Sequence, residues 1–433
     1  MSITLHDPLS VWSAEGESVR DLHVAGVDIV EAAVPDAERI DVSGCVVTPG
    51  LVNAHHHLMQ SAFRTLPGTR RVAMRDWLPV MAAAYREATI DGSLTYAAAR
   101  AAIAEGLLSG VTTVADHQLN WPDGGDVGRD RGIEVADGVA RAAREVGARL
   151  VFVRGTAGDD ARVAAASADA IAEELAPARG GLSIDGMVQV AVGPAGVHSD
   201  RRETFDALAD VARRRGLRRR TQANEQVDTE IALARYGRRP IDLLDEWGWL
   251  EDDVTIAHLC DVTSDEIALL ADRRVTATHA PGCDVPMGWG ISPVRALLDA
   301  GIGVGLGTSG GGSNDAGHLL ADARLAMQVS GLVGTQLDAR DLLTAATSGS
   351  AAGLGRDDLG GLAPGMSADI CVWDVSGVSD AGSADPVAGL LWMSPGRRPR
   401  HVIVAGRFVV RDYRLVSAEE AEITAALRAR VGR

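Results

Sequence analysis

The chain has 433 residues, a formal net charge of −17 and four cysteines. Its length exceeds one small domain but suits an α/β barrel joined to a smaller module. The acidic balance lacks the basic footprint that binding a phosphate backbone requires, which excludes nucleic acid as the expected partner, and none of the 42 basic residues is lysine, which excludes Schiff-base chemistry on that side chain.

In chain order, Ser2 to Val47 is rich in short alternating runs. Met1 to Glu15 lacks a basic stretch followed by an apolar one, so a cytoplasmic protein without a signal peptide is expected. No stretch is long and apolar enough to span a bilayer, so no membrane partner is expected. From Val52 onward, short β-branched runs alternate with Ala-, Arg- and Glu-rich helical stretches, the pattern of βα units. Strand centres fall near Val52, Thr113, Val151, Val190, Arg219, Ile256, Thr276 and Val304. Helices are expected at Leu94 to Ser109, Gly138 to Val146, Ala165 to Leu175, Thr204 to Arg215 and Ser264 to Ala271. Eight such alternations predict a (β/α)8 TIM-like barrel over 50–360, with its chemistry at the carboxyl ends of the strands. Alternating runs return between Asp369 and Val416, so 1–49 and 361–433 are expected to form one discontinuous β-sandwich domain. Pro122 to Asp130 and Ser379 to Asp385 read as surface loops. Cys45, Cys260, Cys283 and Cys371 are scattered singly and read as reduced core residues.

The most informative stretch is Asn53-Ala54-His55-His56-His57-Leu58-Met59-Gln60, directly after the apolar run Leu51-Val52. Side chains two apart on a strand share a face, so His55 and His57 point the same way and make a metal site the first hypothesis. A pair of half-buried structural histidines is the plainer reading of that spacing taken alone.

Further motifs supply context. They are Pro49-Gly50-Leu51-Val52-Asn53-Ala54-His55-His56-His57-Leu58, Gly110-Val111-Thr112-Thr113-Val114-Ala115-Asp116, Ile256-Ala257-His258, Met287-Gly288-Trp289-Gly290, Gly305-Leu306-Gly307-Thr308-Ser309 through Asp315, and Leu362-Ala363-Pro364-Gly365-Met366. Together they span nearly the whole chain and resemble the amidohydrolase superfamily, in its branch of cytosine, guanine and 8-oxoguanine deaminases and triazine hydrolases. The resemblance implies a barrel with a small β domain, a homodimer, and a mononuclear Zn2+ or Fe2+ site. That site takes His-x-His from strand 1, a His each from strands 5 and 6, and an Asp from strand 8, with a proton-shuttling Glu three residues after the strand 5 His. Carried onto this sequence, the metal positions are His55, His57, His258 and Gln222, and the catalytic positions are Glu225, His258 and Ser309. Two-metal relatives bridge their ions with a carbamylated lysine, which a chain without lysine cannot build.

Two positions depart from the pattern: Gln222 stands where a His is expected and Ser309 where an Asp is expected. A Gln carbonyl is a neutral, weaker donor, and a Ser hydroxyl carries neither the charge nor the basicity of a carboxylate. Metal affinity should fall, leaving Glu225 as the obvious acid/base on that side. Arg220, two residues before Gln222, should point into the barrel and neutralise Glu225, or else belong with Arg218 and Arg219 to an exposed strand start.

Gln60, Trp77, His117, His198, Gln222, His279 and Trp289 are candidate substrate-binding residues. Planar heterocycles favour aromatic and thioether surfaces, although Trp and Met at these positions also read as core. His117 equally reads as a loop histidine, and His279 as a residue behind the ligands. The expected function is hydrolytic deamination, or displacement of another leaving group, on an electron-poor triazine, pyrimidine, pterin or purine ring by metal-activated water. One alternative is a metal-free biosynthetic enzyme on the same fold that catalyses a rearrangement, cyclisation or elimination. Another is a non-catalytic homologue that binds a heterocycle.

Overall fold

The computed structural model describes residues 2–122 and 129–432. Eight parallel strands form the expected ring: Leu51–His57, Val111–Gln118, Arg149–Thr156, Val188–Pro194, Arg218–Ala223, Val254–His258, Thr276–His279 and Val304–Leu306, referred to as strands 1 to 8. All eight expected strand centres lie within them. Strand 8 is in two pieces: Val304–Leu306 pairs with strand 7, whereas Ser309–Gly310 pairs with strand 1, at His56 and His57. Ser309, the first residue of the second piece, has its backbone in the left-handed region, at φ 55°. Gly307 permits the close approach at this seam, since a Cβ there would sit 2.6 Å from that of His55.

The expected helices are present as Gly92–Leu108, Arg129–Val146, Ala161–Leu175, Arg202–Arg215 and Ser264–Asp272, the first four with longer N-terminal ends than expected. Their apolar faces cover the outside of the ring, so Ile103, Val139, Ile171, Phe205 and Leu208 join one continuous core with the outward residues of the strands. Residues 123–128 of the loop expected at Pro122 to Asp130 lie outside the described residues. Ser379 to Asp385 is a run of turns, as expected.

Strands from both chain ends build two further sheets. One has four strands drawn from residues 2–41, and the other has seven, in which Ile370–Asp374 pairs antiparallel with Cys45–Pro49. Ile3, Leu5, Val24, Val47, Ile370 and Ile403 fill the core between them. The helix Glu420–Val431 leaves these sheets and packs on the barrel, where Arg430 pairs with Asp91 at 3.0 Å. Among the described residues no helix is long and apolar enough to cross a membrane.

Candidate active site

Strand 1 is buried throughout, and its alternation separates the three histidines. His56 turns outward, its Nδ1 2.9 Å from the Thr308 hydroxyl. His57 donates from Nδ1 to the His117 carbonyl at 2.7 Å, which leaves Nε2 for the cavity. His55 Nε2 is buried without a hydrogen-bond partner. Ring centroids lie 4.9 Å apart for His55 and His57, and 5.2 Å apart for His55 and His258. Burial, reinforced by neighbouring imidazoles, drives His55 well below the usual histidine range, and burial drives His57 to about 4. Both are therefore neutral near pH 7 and keep a lone pair for a ligand.

The opposite wall comes from strands 5 and 6. Gln222 donates its amide to the Ala195 carbonyl at 3.2 Å, which aims Oε1 at His258 Nε2, 3.1 Å away. Glu225 follows the strand end, and Asp228 holds the turn by accepting from the backbone N–H groups of Asn224 and Glu225, at 2.7 and 2.5 Å. Glu225 Oε1 is 3.3 Å from His258 Nε2, while Oε2 is buried without a partner. Burial pushes the Glu225 carboxyl upward, toward its protonated form. Asn224, Gln226, His258, Leu259 and Ser309 all have positive φ, so left-handed backbone concentrates at the ends of strands 5, 6 and 8, where the candidate residues sit.

Asp284, which the sequence reading did not single out, completes this wall. Its Oδ1 lies 2.6 Å from His258 Nδ1 and its Oδ2 3.4 Å from His279 Nδ1. Burial opposes the charged form of His258, but Asp284 and then Glu225 outweigh it and raise the imidazole to about 8. Burial likewise opposes the Asp284 carboxylate, but the His258 charge and hydrogen bond hold it at about 2. Its signal in the sequence is the acid in Pro281-Gly282-Cys283-Asp284, right after strand 7, where barrel chemistry gathers. Among the described residues, donor atoms of His258, Cys283 and Asp284 lie within 4.8 Å of one another.

Beside this cluster lies a cavity of about 310 Å3, which His55, His258 and Asp284 do not line. His57, Glu225, Ser309, Gln60, Trp77, His198, Gln222 and Trp289 line it. His117 and His279, expected to bind substrate, are placed behind its wall. His117 donates from Nε2 to the Gly193 carbonyl at 2.8 Å and props His57, and His279 faces Asp284. Met74, Leu78, Met81 and Met287 add apolar surface around Trp77 and Trp289. Trp289 stands edge-on to His258, with centroids 5.1 Å apart.

Arg220 is buried inside the barrel, not exposed at its base, and it does not neutralise Glu225. It donates to the Ala54 carbonyl and approaches the Thr278 hydroxyl at 3.5 Å, with Nη1 unpartnered. Arg219 instead turns outward to Asp253, at 2.8 Å.

The donor types suit a divalent ion of the zinc class, although among the described residues the three donors within 4.8 Å of one another are those of His258, Cys283 and Asp284. His55, His57 and His258 present three imidazoles, each of the latter two held through Nδ1, and His55 Nε2 is an orphaned buried lone pair with no partner of its own. Gln222 Oε1 supplies a fourth, neutral donor beside them.

Residues 46–409 match the model of the amidohydrolase family. The 8-oxoguanine deaminase of Pseudomonas aeruginosa is 33% identical, with 98% of this chain and 97% of that protein aligned. An isoxanthopterin deaminase from an unknown prokaryotic organism is 30% identical over 90% of this chain and 87% of its own length. Among solved structures, the zinc-complexed atrazine chlorohydrolase of Arthrobacter aurescens TC1 superimposes with a TM-score of 0.90 at 32% identity, covering 99% of this chain and all of that one. With the ring, the imidazole cluster and these relatives in agreement, the chain belongs to the amidohydrolase family.

Proposed function

We propose that this chain hydrolyses an exocyclic C–N bond, or displaces a comparable leaving group, on an electron-poor heteroaromatic ring of the triazine, pyrimidine, pterin or purine type. The observation that carries this reading is a buried acid, Glu225, which lines a cavity together with His57, lies 3.3 Å from the His258 imidazole, and faces a space whose size and aromatic and thioether walls suit one planar ring. The deaminase and chlorohydrolase relatives support the same class of substrate.

His55, His57, His258 and the Gln222 carbonyl would hold a zinc-class ion, whose contribution when bound is to activate water for attack at a ring carbon. Trp77, Trp289, Met81 and Met287 sandwich the ring and exclude bulk water. Glu225, kept protonated by burial, gives its proton to a ring nitrogen, which makes the adjacent carbon more electrophilic. It then recovers a proton from the attacking water and passes it to the departing amine. His198, with Nδ1 buried and unpartnered on the cavity wall, and Gln60 orient the ring edge.

The test is turnover of a panel of amino-substituted triazines, pyrimidines, pterins and purines, read as ammonia release, with Glu225→Gln alongside. The variant should lose on the order of 10^2 to 10^4 in kcat, the usual weight of a positioned acid/base. A substrate turned over equally well by wild type and Glu225→Gln would end the mechanism. One observation favours a second reading, a metal-independent acid–base enzyme on the same ring type: His258 is already hydrogen-bonded to Asp284 and lies 3.3 Å from the Glu225 carboxyl. Activity that survives exhaustive chelation would select it.

A further inference from the structure

Asp284 occupies the first turn of the helix Pro281–Met287, is 0% exposed, and touches two histidines at once. It is also firmly placed. The neighbouring Gly282 N–H donates to Asp322 at 2.8 Å, and the Asn314 amide reaches from the strand 8 loop to the same carboxylate at 3.1 Å. The Asn314 amide also donates to the Thr308 carbonyl at 2.9 Å, so the start of this helix is tied to the strand 8 seam. A carboxylate fixed this way sets the orientation of the ring it contacts.

We infer that Asp284 is a positioning residue of the reaction, acting through His258: its carboxylate holds Nδ1 and so commits Nε2 to the side of Gln222 and Glu225, and it supplies the negative charge that the donor set lacks. This inference rests on the reading proposed above. Imidazole nitrogens and a Gln carbonyl bring no negative charge to a bound ion, and Arg220 adds a buried positive charge nearby. A divalent ion among them would carry its full charge into a site removed from water, which is strongly unfavourable unless an anion lies close. Among the described residues, Asp284 is the carboxylate in hydrogen-bond contact with the non-coordinating nitrogen of a donor ring. In that position it makes Nε2 the better donor and fixes the plane of the imidazole. His279 Nδ1 lies 3.4 Å from the other carboxylate oxygen.

The experiment compares wild type with Asp284→Asn, which keeps shape and an acceptor oxygen but removes the charge. Co2+ affinity is measured by competition with a chromophoric chelator, together with the visible spectrum of the Co2+-loaded protein and kcat and KM. Asp284→Asn should bind Co2+ about 10- to 100-fold more weakly, shift the Co2+ absorption bands and lower kcat by a similar factor while KM stays near wild type. A purely structural aspartate would leave the band positions unchanged. Asp284→Ser, small enough to admit a water, carries the same readouts if the Asn variant does not fold. Co2+ affinity, spectrum and kcat all at wild-type values in a folded variant would overturn the inference alone. A wild type that binds neither Co2+ nor Zn2+ would overturn it together with the metal-dependent reading on which it stands.

Discussion

Arg220 is a buried cation whose side chain meets no carboxylate among the described residues, and replacing it with methionine should stabilise the fold. Burial, and after it the charge of Arg218, lowers the guanidinium from 12.5 to about 9. Holding it charged at pH 7 therefore costs about 5 kcal/mol, at ~1.4 kcal/mol per pH unit. Against this stand its contacts to the Ala54 carbonyl and the Thr278 hydroxyl, worth together about 3 kcal/mol as charge-assisted hydrogen bonds. Arg220→Met, of similar length and without charge, should thus gain about 2 kcal/mol, within the range seen when unpaired or poorly paired buried charges are replaced by apolar side chains. The assay is urea denaturation followed by tryptophan fluorescence and by circular dichroism, with the two curves compared for coincidence before a free energy is assigned. The same variant should bind Zn2+ or Co2+ more tightly, because a buried positive charge beside the imidazoles is gone. A loss of stability of 1 kcal/mol or more would refute the reasoning and mean that the guanidinium is better solvated inside the barrel than its contacts indicate.

Two further outcomes follow from the cavity and its supports. Trp289→Phe keeps an aromatic ring against His258 but removes an indole N–H that is buried without a partner; KM should rise about 2- to 10-fold with kcat little changed, the weight of one hydrogen bond to substrate. Unchanged KM for every ring in the panel would place the indole outside the contact set. Asp322→Asn should flatten the pH dependence of stability: burial raises the Asp322 carboxyl from 3.8 to about 7, so between those values the unfolded chain has lost its proton while the folded protein keeps it, and stability falls as pH rises. The wild type should lose about 2 kcal/mol relative to Asp322→Asn between pH 5.5 and 8 in urea titrations, and parallel profiles would contradict this.

The ring was legible because its signal is repeated: eight apolar runs at regular spacing survive the misreading of any one, and each strand centre read from the sequence falls inside a strand. His55, His57, His258 and Glu225 were legible through motifs and strand alternation. What escaped was what the loops bring in from a distance. Asp284 reaches His258 across 26 residues of chain, and Asn314 reaches Asp322 only because both flank the strand 8 seam; no local periodicity encodes either contact. Arg220 was legible as inward-pointing, since alternation with Gln222 fixes its face, but its partner was misjudged. Alternation also puts Glu225 on a turn beyond the strand end, where Asp228 draws it up toward His258, whereas the guanidinium extends across the barrel to Ala54 on strand 1. The substitutions at Gln222 and Ser309 look, in sequence, like simple losses from a metal centre. In space they sit beside a carboxylate and an imidazole already joined at 2.6 Å, so the charge of the site is not absent but held one residue further out, on a helix start that only the folded chain brings to it.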